Sequence, residues 1–142
     1  MANRIVTLMD TDWRVQARIT LSADTNASPG LTFIDISALD GWDAGSKLAL
    51  SKIFWTVAHP SGAVHLQWHG TGGGSAASHA AIILQGNGTY GYQPGQPALL
   101  SDAVGTGAAT GDLHIINSSA VSGTIIVECT KHVSQTGTGW GA

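Results

Sequence analysis

Apolar and polar residues alternate strictly from Trp13 to Leu21, with arginine, glutamine and threonine between the apolar positions. Successive side chains of a β-strand point to opposite faces, so this pattern predicts a strand with one buried face and one wet face. The shorter segment Arg4–Leu8 precedes it as a second strand or an arm. The predicted inward positions are Trp13, Val15, Ala17, Ile19 and Leu21.

Two further alternating runs flank the segment His59-Pro-Ser-Gly62. Proline presets φ at the second position of a type I turn, and glycine suits the fourth. We therefore predict that 48–58 and 63–69 pair as an antiparallel hairpin. In the second run the apolar side chains face the core and the polar ones face outward. The inward set is Val64, Leu66 and Trp68, and the outward set is His65, Gln67 and His69.

The rest of the chain contains more short strand patterns separated by turns, and no segment has a helical period. Asn87-Gly88 indicates a hairpin turn, because both residues tolerate positive φ. The chain is predicted to be all-β: one antiparallel β-sandwich, jelly-roll-like, over residues 1–142 with extended termini. Residues 1–10 form an N-terminal arm or edge strand, and 134–142 a flexible glycine-rich tail. The additional strands are predicted at 31–36, 80–85, 112–117 and 124–133.

The composition narrows the class of partner. Charged residues make up 11% of the chain, against a usual value of about 25%. The net charge of −3 argues against nucleic-acid binding, which needs clustered lysine and arginine. We find no signal peptide and no run of about 20 apolar residues, so we expect synthesis in a cytoplasm and no membrane partner. The lone Cys129 is predicted to be a small buried hydrophobe.

Two short motifs resemble a metal site and a phosphate site, but neither lies on the secondary-structure element that such a site needs. His65 and His69 lie on a predicted strand, where their spacing spans roughly 13 Å, too far for both to bind one metal ion. Gly86-Asn-Gly-Thr-Tyr-Gly91 resembles a phosphate-binding loop but leads into no helix, and such binding uses a helix N-terminus. We expect no catalytic residue, no metal and no cofactor, and therefore no enzyme. A small hydrolase stays open as a third interpretation, because catalytic groups can converge in space.

The five tryptophans divide into two groups. Trp13, Trp55 and Trp68 occupy inward strand positions and are predicted to lie in the core. Trp42 lies in a turn, and Trp140 lies in the tail. An exposed aromatic residue on a tail commonly anchors a partner surface. For Trp140, that role and folding back onto its own domain are equally compatible with the sequence.

From Lys52 to Val133 the order and spacing of strands resemble a family of tailed-phage virion proteins, including those of cyanophages. The resemblance departs from the family at Trp68-His69, where Trp-Asp is more usual, and in the tail after Lys131. It implies a structural role on the particle, as a head decoration or cement protein. The matching segments are Ile-Phe-Trp-Thr-Val (53–57), Val-His-Leu-Gln-Trp-His-Gly (64–70), 82–90, Thr-Gly-Asp-Leu-His-Ile (110–115) and 123–131.

On this resemblance we expect a protein that binds the major capsid protein on the outer surface of the virion and stabilises the head by bridging neighbouring subunits. Self-association as a homotrimer is expected. The alternative is a carbohydrate-binding or host-attachment module of a tail or fibre, in which Trp42, Tyr90 and Tyr92 stack on sugar rings. The residues expected to contact the capsid are Arg4, Ile5, Val6, Trp42 and Trp140.

Overall fold

The computed structural model describes residues 3–42, 48–59, 62–71, 77–100 and 109–131. This part of the chain forms ten β-strands and one short 3-10 turn, Ile36–Ala38. The strands are β1 (Arg4–Asp10), β2 (Arg14–Ser22), β3 (Asn26–Ile34), β4 (Ala49–Ala58), β5 (Val64–Thr71), β6 (Ala77–Leu84), β7 (Gly86–Tyr90), β8 (Leu99–Leu100), β9 (Ala109–Asn117) and β10 (Ser122–Thr130).

The strands form two antiparallel sheets that pack face to face. The first sheet has the order β1-β2-β10-β4-β7, and β8 pairs with the start of β4. The second sheet has the order β3-β9-β5-β6. The predicted all-β sandwich is therefore confirmed. Strand β1 covers most of the predicted N-terminal arm and pairs with β2 at the edge of the first sheet. The predicted tail, 134–142, lies outside the described residues.

The core lies between the two sheets and consists of the apolar alternate positions of both. The predicted inward residues of β2 from Val15 to Leu21 are buried, and so are the predicted inward residues of β5. Burying one such aliphatic side chain contributes about 1.5–3 kcal/mol. Cys129 is also buried, as predicted, and burial raises the pKa of its thiol, with a smaller contribution from the neighbouring Glu128. The residues that the alternating pattern marks as inward therefore form much of the core.

The hairpin predicted for 48–58 and 63–69 is wrong. Strand β4 lies between β10 and β7 in the first sheet, whereas β5 lies between β9 and β6 in the second. The connection between them crosses from one sheet to the other, and its end is held by a 2.7 Å hydrogen bond from the Gly62 N–H to His59 Nδ1. Each strand buries one apolar face in the core between the two sheets.

The chain also crosses between the sheets at Gly86, and not at the predicted Asn87-Gly88 turn. Gly86 has a φ of +66°, a left-handed conformation that glycine adopts without strain. Asn87 and Gly88 lie inside β7. The ring of Trp55 lies across Gly88, where an added Cβ would overlap the indole. Glycine therefore suits position 88 because the Trp55 ring occupies the space of a side chain, and not because the chain turns there.

Three tryptophans are predicted to lie in the core, and the prediction is wrong for Trp13. Trp68 is buried, and Trp55 is partly buried against the core. Trp13 is 67% exposed, because β2 begins one residue later at Arg14. The Thr11 hydroxyl accepts hydrogen bonds from the N–H groups of Trp13 and Arg14, so the chain bends there and the alternation does not extend to Trp13.

A buried lysine joins the end of β10 to the β1–β2 turn. The side chain of Lys131 is fully buried, and its Nζ lies 2.6 Å from Asp10 Oδ1. The same ammonium group donates to the carbonyl oxygens of Thr11 at 2.6 Å and Asp40 at 2.8 Å. A buried cation is tolerated only when it is paired and hydrogen-bonded. Lys131 therefore fixes three chain segments at this end of the sandwich.

Candidate interaction surface

Four of the six lysine and arginine residues project from the outer face of the first sheet. Arg14 and Arg18 occupy polar positions of β2, opposite in phase to the buried Val15 and Ala17. Arg4 on β1 is exposed, and its strand neighbour on β2 is the outward-facing Thr20. Lys52 lies on β4, where it pairs with Glu128 of β10. The cations are these: Arg4, Arg14, Arg18 and Lys52.

Glu128 is the one acidic residue among the described residues that face outward from this sheet, and its charge is already engaged. Gln16 Nε2 donates to Glu128 Oε1 at 2.8 Å. Arg14 Nη1 lies 3.7 Å from Oε1, and Lys52 Nζ lies 4.0 Å from Oε2. The Glu128 residue is only 8% exposed. Four cations and one anion leave the face with three net positive charges, opposite in sign to the net charge of −3 of the whole chain.

A row of five side chains crosses the same face, and we call it the apolar row because three of the five are apolar. The strand register places one outward residue from each of the five strands side by side. Phe54, in the middle of β4, is 41% exposed, and its neighbour Ile126 on β10 is partly buried. Beyond Phe54 the face continues as a shallow depression between β4 and β7. From β1 to β7 the row is Val6, Arg18, Ile126, Phe54 and Thr89.

Of the residues that the sequence suggested as capsid contacts, the four that the structure describes do not share one face. Arg4 and Val6 lie on the outer face of the first sheet, whereas Ile5 turns inward and packs against the core. Trp42 is 42% exposed and lies beyond the 3-10 turn. Trp140 lies outside the described residues.

The sequence reasoning missed the centre of this surface. The sequence predicts that Phe54 and Ile126 lie on strands but does not single them out as surface residues. Each follows a buried isoleucine, Ile53 or Ile125, so alternation marks it as outward-facing. Arg18 lies between two inward positions of β2 and is therefore predicted to face outward, but no motif marks it as part of an interaction surface. The strand phase could have identified each residue singly. Their contact depends on the register of β10 between β2 and β4, which no short motif encodes.

The aromatic residues suggested for sugar stacking lie at opposite edges of the first sheet. Trp42 follows Asp40, whose N–H donates to Asp10 Oδ2 at the end of β1. Tyr90 lies on β7, and its hydroxyl donates to the Pro97 carbonyl at 2.6 Å. The two edge strands are four strand spacings apart, about 19 Å. Trp42 and the tyrosine therefore do not form one stacking platform.

Two histidines meet on the outer face of the second sheet. The rings of His69 on β5 and His114 on β9 stack with centroids 4.1 Å apart and planes inclined by 8°. His114 Nε2 lies 3.2 Å from the Thr32 hydroxyl, and Asp112 accepts a hydrogen bond from the Ile36 N–H. Burial, and secondarily His114, lower the pKa of His69, while burial raises the pKa of Asp112.

This histidine pair is poorly arranged for sharing a metal ion. The lone pairs of an imidazole lie in the plane of its ring, so those of two stacked rings run parallel and do not converge. His65 is exposed on the same face. In the described ranges, no three His, Cys, Asp or Glu residues are grouped so that they could hold a metal.

No family model, curated protein or solved structure matches the chain. Within the described residues, no helix is long and apolar enough to cross a membrane.

Proposed function

We propose that the protein is a phage capsid decoration protein, which binds the outside of the head through the outer face of the first sheet. One observation carries this proposal: exposed Phe54 and its apolar neighbours lie among four cations on a single sheet face. Such a surface suits contact with another protein. It acts by binding and not by catalysis.

The apolar row supplies the attraction. Aromatic side chains and arginine are enriched at the centres of protein interfaces, and they dominate the binding energy. Phe54 already sits on a rigid strand paired on both sides, so little conformational entropy is lost when it is covered. Ile126 beside it and Val6 at the edge extend the area that a partner can bury.

The cations determine which partner fits. A partner that presents carboxylates around an apolar centre would satisfy Arg4, Arg18 and Lys52, and would be steered toward this face at low ionic strength. Nucleic acid fits less well, because an apolar row interrupts the positive charge and the chain as a whole repels polyanions. We therefore expect an acidic, partly apolar patch on the outer surface of the capsid protein.

Electron microscopy of intact particles tests the role on the virion. We expect density for this sandwich in many copies on the outer shell, with the first sheet toward the capsid protein. Density confined to the tail or fibre would refute decoration and favour the host-attachment alternative. Absence of the chain from purified particles, checked by mass spectrometry, would refute a virion role.

Rebinding of the purified protein to particles stripped of it tests the surface. Phe54→Lys and Arg18→Glu should each weaken rebinding by about tenfold or more, because each removes a central contact of the face. Raising the salt concentration should weaken rebinding of the unaltered chain, since exposed charges are screened. The control is His65→Glu, which alters an exposed side chain on the other sheet. Equal rebinding of all four proteins would refute the assignment of this face.

A further inference from the structure

Strand β6, Ala77–Leu84, is an edge of the second sheet that carries neither charge nor proline. It pairs with β5 on one side, and no strand in the described part of the chain pairs with its other side. The strand contains no Lys, Arg, Asp, Glu or Pro. Ile83 is 55% exposed. An uncovered edge strand of this kind presents backbone N–H and C=O groups ready to pair with another chain.

The other three edges carry features that discourage such pairing. Strand β1 has Arg4 at its start, Asp10 at its end and a bulge between them. Strand β3 contains Pro29, and its register with β9 is broken between Asn26 and Leu31. Strand β7 is only five residues long. Charges, bulges, proline and short length are the devices by which proteins block strand addition. Strand β6 carries no charge and no proline and is eight residues long, which distinguishes it from the other edges, although its own register with β5 also shifts.

We propose that β6 pairs with β6 of a second copy of this chain, antiparallel about a two-fold axis. Head-to-tail pairing would need a second open edge, and the other edges are protected. Like charges opposite each other would oppose a symmetric contact between two copies of one strand. Self-pairing of β6 avoids this, because the strand carries no Lys, Arg, Asp or Glu. The two four-stranded sheets would then continue as one sheet of eight strands.

The side chains around the edge favour the same contact. Ile83 faces outward, and the register places it beside His65 of β5, which in turn adjoins Ile116 of β9. A second copy would extend this row across the junction and cover much of the exposed Ile83 side chain. The contact lies on the second sheet, so it leaves the outer face of the first sheet free for the capsid. The inference therefore goes beyond the proposed function and does not depend on it.

The mass of the protein in solution gives the first test. Sedimentation analysis should find a species of twice 14.5 kDa that dissociates on dilution. Ile83→Lys should weaken the dimer by about tenfold or more, because it places two like charges near the junction and removes apolar area. The matched control is Phe54→Lys, the same kind of change at a similarly exposed strand position, which should leave the dimer intact. A monomer at all concentrations would overturn the proposal, and so would the homotrimer that the resemblance to phage proteins implies.

Hydrogen exchange of the unaltered chain tests the location and does not depend on how well a variant folds. Amides of residues 80–84 should become more protected as concentration rises and the dimer forms, because outward N–H groups of β6 acquire partners. A dimer without added protection in β6 would overturn the proposal. If Phe54→Lys loses particle binding and keeps the dimer, while Ile83→Lys does the reverse, the two surfaces act separately. Failure of one proposal is then distinguishable from failure of the other.

Discussion

Replacing Asp10 by asparagine should cost about 2–3 kcal/mol of unfolding free energy. The side chain of Lys131 is fully buried, and its ammonium group forms an ion pair with the Asp10 carboxylate. Breaking a buried ion pair by removing one partner costs about 3–5 kcal/mol. We take a lower figure because the Asp10 side chain is 24% exposed and two carbonyl acceptors remain on Lys131.

Equilibrium unfolding in urea, followed by tryptophan fluorescence, measures this cost. The midpoint should fall with little change in the slope, because the surface exposed on unfolding is unchanged. The melting temperature should drop by about 8–12 °C. Asp40→Asn is the matched control: Asp40 also contacts Lys131, but through its backbone carbonyl, and its side chain is exposed. The control should lie within about 0.5 kcal/mol of the unaltered chain. Equal losses for the two variants, or no loss for Asp10→Asn, would refute the reasoning.

Two further predictions concern the strand β7 and the histidine pair. Gly88→Ala should destabilise the fold by about 1–3 kcal/mol and shift the emission of Trp55 to the red, because the new methyl group displaces the indole; unaltered emission would contradict this. Burial lowers the pKa of His69 below its ordinary value of 6.5, so its contribution to stability is present above that value and is lost as pH falls through it. Unfolding midpoints between about pH 7 and 5 should therefore fall less steeply for His69→Gln than for the unaltered chain, and identical slopes would contradict this.

The periodicity of the chain was sufficient to predict the class of fold and most of the core. Val15 to Leu21 on β2, and Val64, Leu66 and Trp68 on β5, are buried as their phase predicted. Alternation works at such positions because a strand that buries one face leaves a period of two in its sequence. It failed at Trp13, because a local bend held by Thr11 delays the start of the strand by one residue, to Arg14.

Alternation could not predict which strands pair with each other. A turn motif between β4 and β5 suggested a hairpin, yet the two strands lie in different sheets. A local turn fixes the direction of a few residues, whereas the choice of partner depends on where each apolar face is best covered. The histidine pair illustrates the same limit. Its members are 45 residues apart in the sequence, and only the pairing of β5 with β9 stacks them.

The amino-acid sequence is sufficient to predict an all-β chain of low charge, and the inward residues of β2 and β5. Which outward residues are neighbours depends on strand pairing: it places Arg18, Ile126 and Phe54 in one row and, within the described residues, leaves β6 at an open edge. The reason is physical. Alternation is a property of each strand alone, but a surface is a property of the register between strands from distant parts of the chain.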